Sequence, residues 1–186
     1  LQKRSFRQSI HHLERFNGVL VADAVGLGKT FTGLALLDHY LSQRKPGRKP
    51  RALIICPAQL KGMWESKTRL LNINVHDFVT MEQLGRMSYA DEDSEEEPEF
   101  HELLAEYGDH DIILVDEAQD TSSVQWAVIK GLAGGFFSGQ GRPIEAPRTI
   151  FAVGDEKHGA PPQSVVRPLR CRRHSNWHAR SHAVLR

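Results

Sequence analysis

The chain has 186 residues, 40% of them hydrophobic and 25% charged, which suits one folded domain with a sizeable core and excludes collagen-like and wholly disordered classes. Its formal net charge of +1 argues against a strongly basic nucleic-acid binder. The average conceals two unlike pieces: residues 1–156 carry 17 bases against 23 acids, and residues 157–186 carry seven bases and no acid.

The chain opens on Leu1 rather than Met, which predicts a processed or partial chain, and its charged start lacks the apolar stretch of a secretory signal. No apolar run approaches the roughly 20 residues that cross a bilayer. Cys56 and Cys171 lie in the two different pieces, so neither a disulfide scaffold nor a paired-cysteine metal site is supported, and a cytoplasmic setting is expected.

In chain order, Gly18–Ala22 reads as a buried strand followed by a Gly-rich turn. Thr30–Gln43 places Leu34, Leu37 and Leu41 at three-and-four spacing, a helix with one apolar face. The basic loop Arg44–Arg51, with Pro46, Gly47 and Pro50, ends it. Ala52–Cys56 is a second strand, stopped by Pro57, and Gln59–Leu71 suits the next helix. Val75–Thr80 reads as a third strand, Ile112–Val115 as a fourth, Ser122–Leu132 as a helix and Thr149–Val153 as a fifth strand. Continuously apolar strands separated by helices predict an α/β fold, a doubly wound parallel sheet covered on both faces. Residues 91–106 form an acidic insertion of nine acids without Lys or Arg, read as a solvated loop entering a helix near Pro98 in preference to an acidic docking site.

The most specific pattern is Asp23-Ala-Val-Gly-Leu-Gly-Lys-Thr30, between an apolar strand and an amphipathic helix. That is the setting of a P-loop. Gly26, Leu27 and Gly28 would bring backbone N–H groups against phosphate oxygens, helped by the positive end of the helix. Lys29 would reach the β and γ phosphates and Thr30 would offer its hydroxyl to Mg²⁺, which makes ATP and Mg²⁺ the expected cofactors. Asp23 stands where the general pattern has Gly.

Asp111-Ile-Ile-Leu-Val-Asp-Glu-Ala-Gln-Asp120 supplies the carboxylates that a P-loop needs at a neighbouring strand end. Asp116 is the expected Mg²⁺ partner and Glu117 the candidate general base for an attacking water. Gln119, beside a γ phosphate, would act as a neutral sensor of nucleotide state.

These residues resemble helicase-type motors. From about Phe6 to Glu65 the chain is similar to Swi/Snf-type ATPases of helicase superfamily 2, whose first motif commonly begins with Asp, as at Asp23. Their next motif resembles Leu53-Ile-Ile-Cys-Pro-Ala-Gln-Leu-Lys-Gly-Met-Trp64, and the resemblance implies that the loop Pro57–Gln59 contacts a nucleic-acid backbone, expected to be DNA. It also implies adenine reading for Gln8, against a plain surface glutamine, while Trp64 fits core packing better than base stacking. From about Ile113 to Lys157, Val115–Trp126 and Thr149-Ile-Phe-Ala-Val-Gly-Asp-Glu-Lys157 resemble superfamily 1 helicases of the UvrD and RecB kind, the AddA subunit of bacterial repair helicase-nucleases among them. Asp155 matches that pattern, whereas His158 stands where the family has a glutamine that contacts the γ phosphate.

Residues 157–186 combine arginines with His158, His174, His178 and His182 but lack periodic apolar spacing. A basic arm for phosphate backbones and a metal site on Cys171, His174 and His178 are weaker readings than a disordered tail beyond the end of the resemblance. The sequence thus predicts one RecA-like lobe over 1–156 and a basic tail over 157–186. The lobe is read as the Mg-ATP-binding first motor lobe of a DNA helicase or translocase. An arginine from a second lobe or partner subunit would complete its chemistry, so turnover by the lobe alone is expected to be slight. An inactive hybrid or frameshifted fragment and a regulatory P-loop NTPase unrelated to DNA are the alternatives.

Overall fold

The computed structural model describes residues 2–21, 28–43, 49–88, 106–138, 148–154 and 184–185. Helix α1 (Gln2–Phe16) leads into β1 (Gly18–Val21), followed by α2 (Lys29–Leu41), β2 (Ala52–Cys56), α3 (Ala58–Leu70), β3 (Asp77–Thr80) and α4 (Met81–Ser88). Then come β4 (Ile112–Val115), a 3-10 turn (Ala118–Asp120), α5 (Ser123–Ser138), β5 (Thr149–Val153) and the two-residue β6 (Val184–Leu185). Every strand pairing is parallel, in the order β3-β2-β4-β5-β1-β6. The five longer strands with their flanking helices form the α/β, RecA-like arrangement that the sequence predicts.

Alternation along the strands builds two cores. Leu53 and Ile55 of β2, Ile113 and Val115 of β4, and Ile150 and Ala152 of β5 pack with Met81, Leu84, Trp126, Val128, Ile129 and Leu132 from the α4 and α5 side. The intervening residues, Ala52, Ile54 and Cys56, Ile112 and Leu114, and Phe151 and Val153, pack with Leu13, Leu34, Leu36, Leu37 and Trp64 from α1, α2 and α3. Strands buried on both faces must be apolar at every position, which is why these runs are continuous rather than alternating.

The expected and observed bounds coincide for β2, β4 and β5. β3 starts at Asp77 rather than Val75, because the Val75 N–H donates to the Ile73 carbonyl in a turn (3.1 Å) before the chain joins the sheet. Two helices were not anticipated. α1 carries Phe6, Ile10 and Leu13 toward the core, and Asn17, at φ 56°, ends it by donating its N–H to the Leu13 carbonyl. α4 is opened by a reciprocal cap: the Thr80 N–H donates to Gln83 Oε1 (2.8 Å) and the Gln83 N–H to Thr80 Oγ1 (3.1 Å). Ser122 and Gln125 repeat this device at α5, and Gln125 Nε2 also donates to the Met81 carbonyl, tying the two helices together.

The helix expected near Pro98 lies outside the described residues except for helical Glu106 and Tyr107. So do the acidic insertion 91–105, Asp155 and the tail apart from Val184 and Leu185, which pair with β1.

At the starting edge of the strands a polar clasp fixes their register. Buried His110 meets Asp77 Oδ2 at 2.7 Å and the Tyr107 carbonyl at 2.8 Å. Arg51 pairs with Asp77 and Asp109, and the Arg51 backbone N–H donates to Asp111 Oδ2.

Candidate functional site

Parallel pairing gathers the ends of β1, β5, β4 and β2 on the opposite edge. The Gly154 N–H donates to the Val21 carbonyl (3.1 Å) and the Asp116 N–H to the Ile55 carbonyl (2.8 Å), which carries the pairing of β5 with β1 and of β4 with β2 to the ends of these strands. Such an edge, where the chain crosses over several strands, is where open α/β sheets bind ligands. β5 lies between β1 and β4 in the sheet.

Helix α2 begins after Gly28, whose φ of 83° and ψ of 34° lie in the left-handed region that glycine enters without steric cost. The Gly28 carbonyl accepts the N–H groups of Phe31 and Thr32 and so starts the helix with Lys29 and Thr30 in its first, partly exposed turn. Asp23, Gly26 and Leu27 lie outside the described residues. Gln8 is half-buried on α1, which packs against α2 and β1.

Asp116 is only 7% exposed. A buried carboxylate is costly unless donors surround it, and the fully buried indole of Trp64 provides one, its Nε1–H donating to Asp116 Oδ2 at 2.6 Å. Burial nevertheless raises the Asp116 pKa. The Trp64 hydrogen bond counters that, the Glu117 charge adds to it, and the Glu117 backbone N–H and the Lys29 charge work against it.

Glu117 adopts φ 51°, ψ 45°, a conformation sparsely used by residues with a side chain. Strain of this kind concentrates at functional sites. The turn sends the chain into the 3-10 segment and leaves Glu117 half-buried, lining a cleft of about 490 Å³ with Pro57, Gln59, Glu82 and Asp120. The Gln119 amide donates to the Glu117 carboxylate and, at 3.2 Å, to Asp120 Oδ2. Gly154 closes over this turn: a Cβ there would overlap Gln119 Oε1 and stand 3.2 Å from the Ala118 nitrogen.

Pro57–Gln59, expected as a loop, is instead the N-cap and first two residues of α3, because the Leu60 N–H already donates to the Pro57 carbonyl, and Pro57 and Gln59 form one wall of the same cleft. Its leading N–H group, that of Ala58 at the start of α3, already donates to the exposed Glu82 carboxylate at 3.1 and 3.3 Å.

Magnesium takes hard oxygen donors, typically one or two carboxylates with phosphate and water completing the shell, rather than an all-protein cage. A hydroxyl at Thr30 and a carboxylate at Asp116 suit it, and no cluster of three or more His, Cys, Asp or Glu able to hold a metal exists among the described residues. Trp64 as a partner of Asp116 was not anticipated, because its spacing marks only a buried helix face; a buried indole, whose N–H needs an acceptor, was the available signal. Among the described residues no helix is long and apolar enough to cross a membrane.

The sequence model of the SNF2-related domain family matches residues 1–126, from α1 into α5. The span includes Val115–Trp126, compared above with UvrD and RecB helicases, and the comparisons lend that second resemblance no support. A search of curated proteins finds no match to the chain.

Proposed function

The chain belongs to the SNF2-related domain family, whose members are helicase-like ATPase motor domains, and on that premise we propose that residues 1–156 act as the Mg-ATP-binding first motor lobe of a DNA-dependent translocase. Lys29 holds the β and γ phosphates and Thr30 meets Mg²⁺, with the backbone of Asp23, Gly26, Leu27 and Gly28 cradling the phosphates. Asp116 would hold the metal through a bridging water, and Glu117 orients the attacking water. Gln119, already bonded to Glu117, reads whether a γ phosphate is present, and Gln8 reads adenine. When bound, Mg²⁺ neutralises charge on the transferring phosphoryl group.

The observation that carries this reading is geometric: Trp64 packs beside Gly33, one turn beyond Lys29 and Thr30, and donates its indole N–H to the buried Asp116 carboxylate, which brings the start of α2 and the end of β4 together. A thermal-shift titration with Mg-ATP tests it. At 100 times Kd a ligand stabilises by about 2.7 kcal/mol, which for a chain of this size raises Tm by roughly 5–10 °C. Lys29→Ala removes that rise; equal curves for wild type and variant would sink the reading.

Pro57–Gln59, beside Glu117 in the cleft, is the proposed contact for the DNA backbone. The carboxylate of Glu82 on the Ala58 N–H favours a second reading, a regulatory NTPase without a nucleic-acid partner, since it stands where a phosphate would. Retention of duplex DNA by the Mg-ATP-bound protein separates the two.

A further inference from the structure

Trp64 joins the two halves of the proposed nucleotide site. Its ring is fully buried and edges against α2, where a Cβ on Gly33 would lie 3.2 Å from Trp64 Cη2 and 3.1 Å from Leu114 Cδ1. Gly33 is one helical turn beyond Lys29 and Thr30. The opposite side of the same indole donates Nε1–H to Asp116 Oδ2 at 2.6 Å, across 52 residues of sequence. One rigid side chain thus spans from the helix that presents Lys29 and Thr30 to the carboxylate at the end of β4.

A buried indole needs an acceptor for its N–H, and a main-chain carbonyl would serve that need. Here the acceptor is the buried side-chain carboxylate of Asp116, so the bond fixes the rotation of that group. Metal-site partners of this kind set the orientation of the ligating group.

We propose that Trp64 is a positioning residue for the divalent cation: its indole N–H fixes the rotation of the Asp116 carboxylate, and its ring fixes the distance of that carboxylate from α2. The proposal rests on the Mg-ATP reading above. It predicts that Trp64 governs how much Mg²⁺ is required for nucleotide binding, without governing how ATP itself is held.

The test measures ATP binding as a function of free Mg²⁺, and separately in EDTA, for wild type, Trp64→Phe and Leu13→Ala. Leu13 is a fully buried residue of the same core with no part in the site, so its variant reports what loss of packing does. The expected result is a rise of about tenfold in the half-saturating Mg²⁺ concentration for Trp64→Phe, with unchanged ATP affinity in EDTA and an unchanged Mg²⁺ requirement for Leu13→Ala. In the wild type, the indole N–H resonance that disappears in Trp64→Phe should shift when Mg²⁺ is added to the ATP-bound protein. An unchanged Mg²⁺ requirement in Trp64→Phe, or parallel losses with and without metal that match those of Leu13→Ala, would overturn the positioning role. Absence of Mg²⁺-dependent binding in the wild type would instead overturn the nucleotide-site reading.

Discussion

Gly33→Ala is a sensitive probe of how tightly the site is built. In the interior of a helix, Ala is favoured over Gly by about 1 kcal/mol, so propensity alone predicts stabilisation. The new Cβ, however, would lie 3.1 Å from Leu114 Cδ1 and 3.2 Å from Trp64 Cη2, inside the roughly 3.5–4.0 Å optimum for carbon pairs. Neither neighbour yields cheaply. Leu114 is on β4, held between β2 and β5, and Trp64 is tied to Asp116 by a charged hydrogen bond, a class worth about 1.5–3 kcal/mol. Overpacking of this kind costs about 1–3 kcal/mol, so crowding outweighs propensity and the net loss is about 1 kcal/mol, or roughly 2–4 °C in Tm. Gly62→Ala is the matched control, because Gly62 lies in α3 and an added Cβ there meets nothing within 4 Å. Thermal unfolding should show Gly62→Ala above wild type and Gly33→Ala below it. A Gly33→Ala protein more stable than wild type would refute the claim that the indole is held in a fixed slot.

Asp116→Asn should raise Tm in metal-free buffer at pH 7. Burial holds the Asp116 carboxyl pKa above its usual value, so the native state carries a cost above that raised pKa which disappears once the pH falls below the unfolded value; a variant no more stable than wild type at pH 7 would contradict this, and the gain should fade toward pH 3. The Cys56 thiol, pushed up to about 12 chiefly by burial, should resist iodoacetamide at pH 8 until urea unfolds the protein, and prompt labelling of the Cys56 peptide in native protein would count against the packing described. Glu82→Gln should raise affinity for duplex DNA about two- to fivefold by removing a negative charge from the start of α3, whereas an unchanged or lower affinity would exclude Pro57–Gln59 as a phosphate contact.

What the sequence could announce was local. Val-Leu-Val at Val19–Val21, Ala52–Cys56, Ile112–Val115 and Thr149–Val153 are apolar on both faces, and such runs have one comfortable location, the middle of a covered parallel sheet. Asp116 and Glu117 were legible for the same reason, as the first charges after an apolar run. What escaped was either short or distant. α4 is eight residues long, too few for a periodic signal, though Thr80 and Gln83 bear its capping pattern. The Trp64–Asp116 bond depends on α3 lying beside the end of β4, and the contact of Gly154 with Gln119 depends on β5 entering between β1 and β4. Neither juxtaposition has a local signature. The left-handed turn at Glu117 is likewise imposed by its surroundings, since glutamate has no preference for it.

Lys29 and Asp116 are proposed to form one Mg-ATP site at the end of the sheet. Isothermal titration of the chain with ATP, in Mg²⁺ and in EDTA, tests it most directly when wild type is compared with Lys29→Ala and Asp116→Asn. Wild type should bind saturably and one-to-one in Mg²⁺, Lys29→Ala should lose binding almost completely under both conditions, and Asp116→Asn should lose only the Mg²⁺-dependent part. Wild type and Lys29→Ala binding alike, or wild type failing to bind, would contradict it.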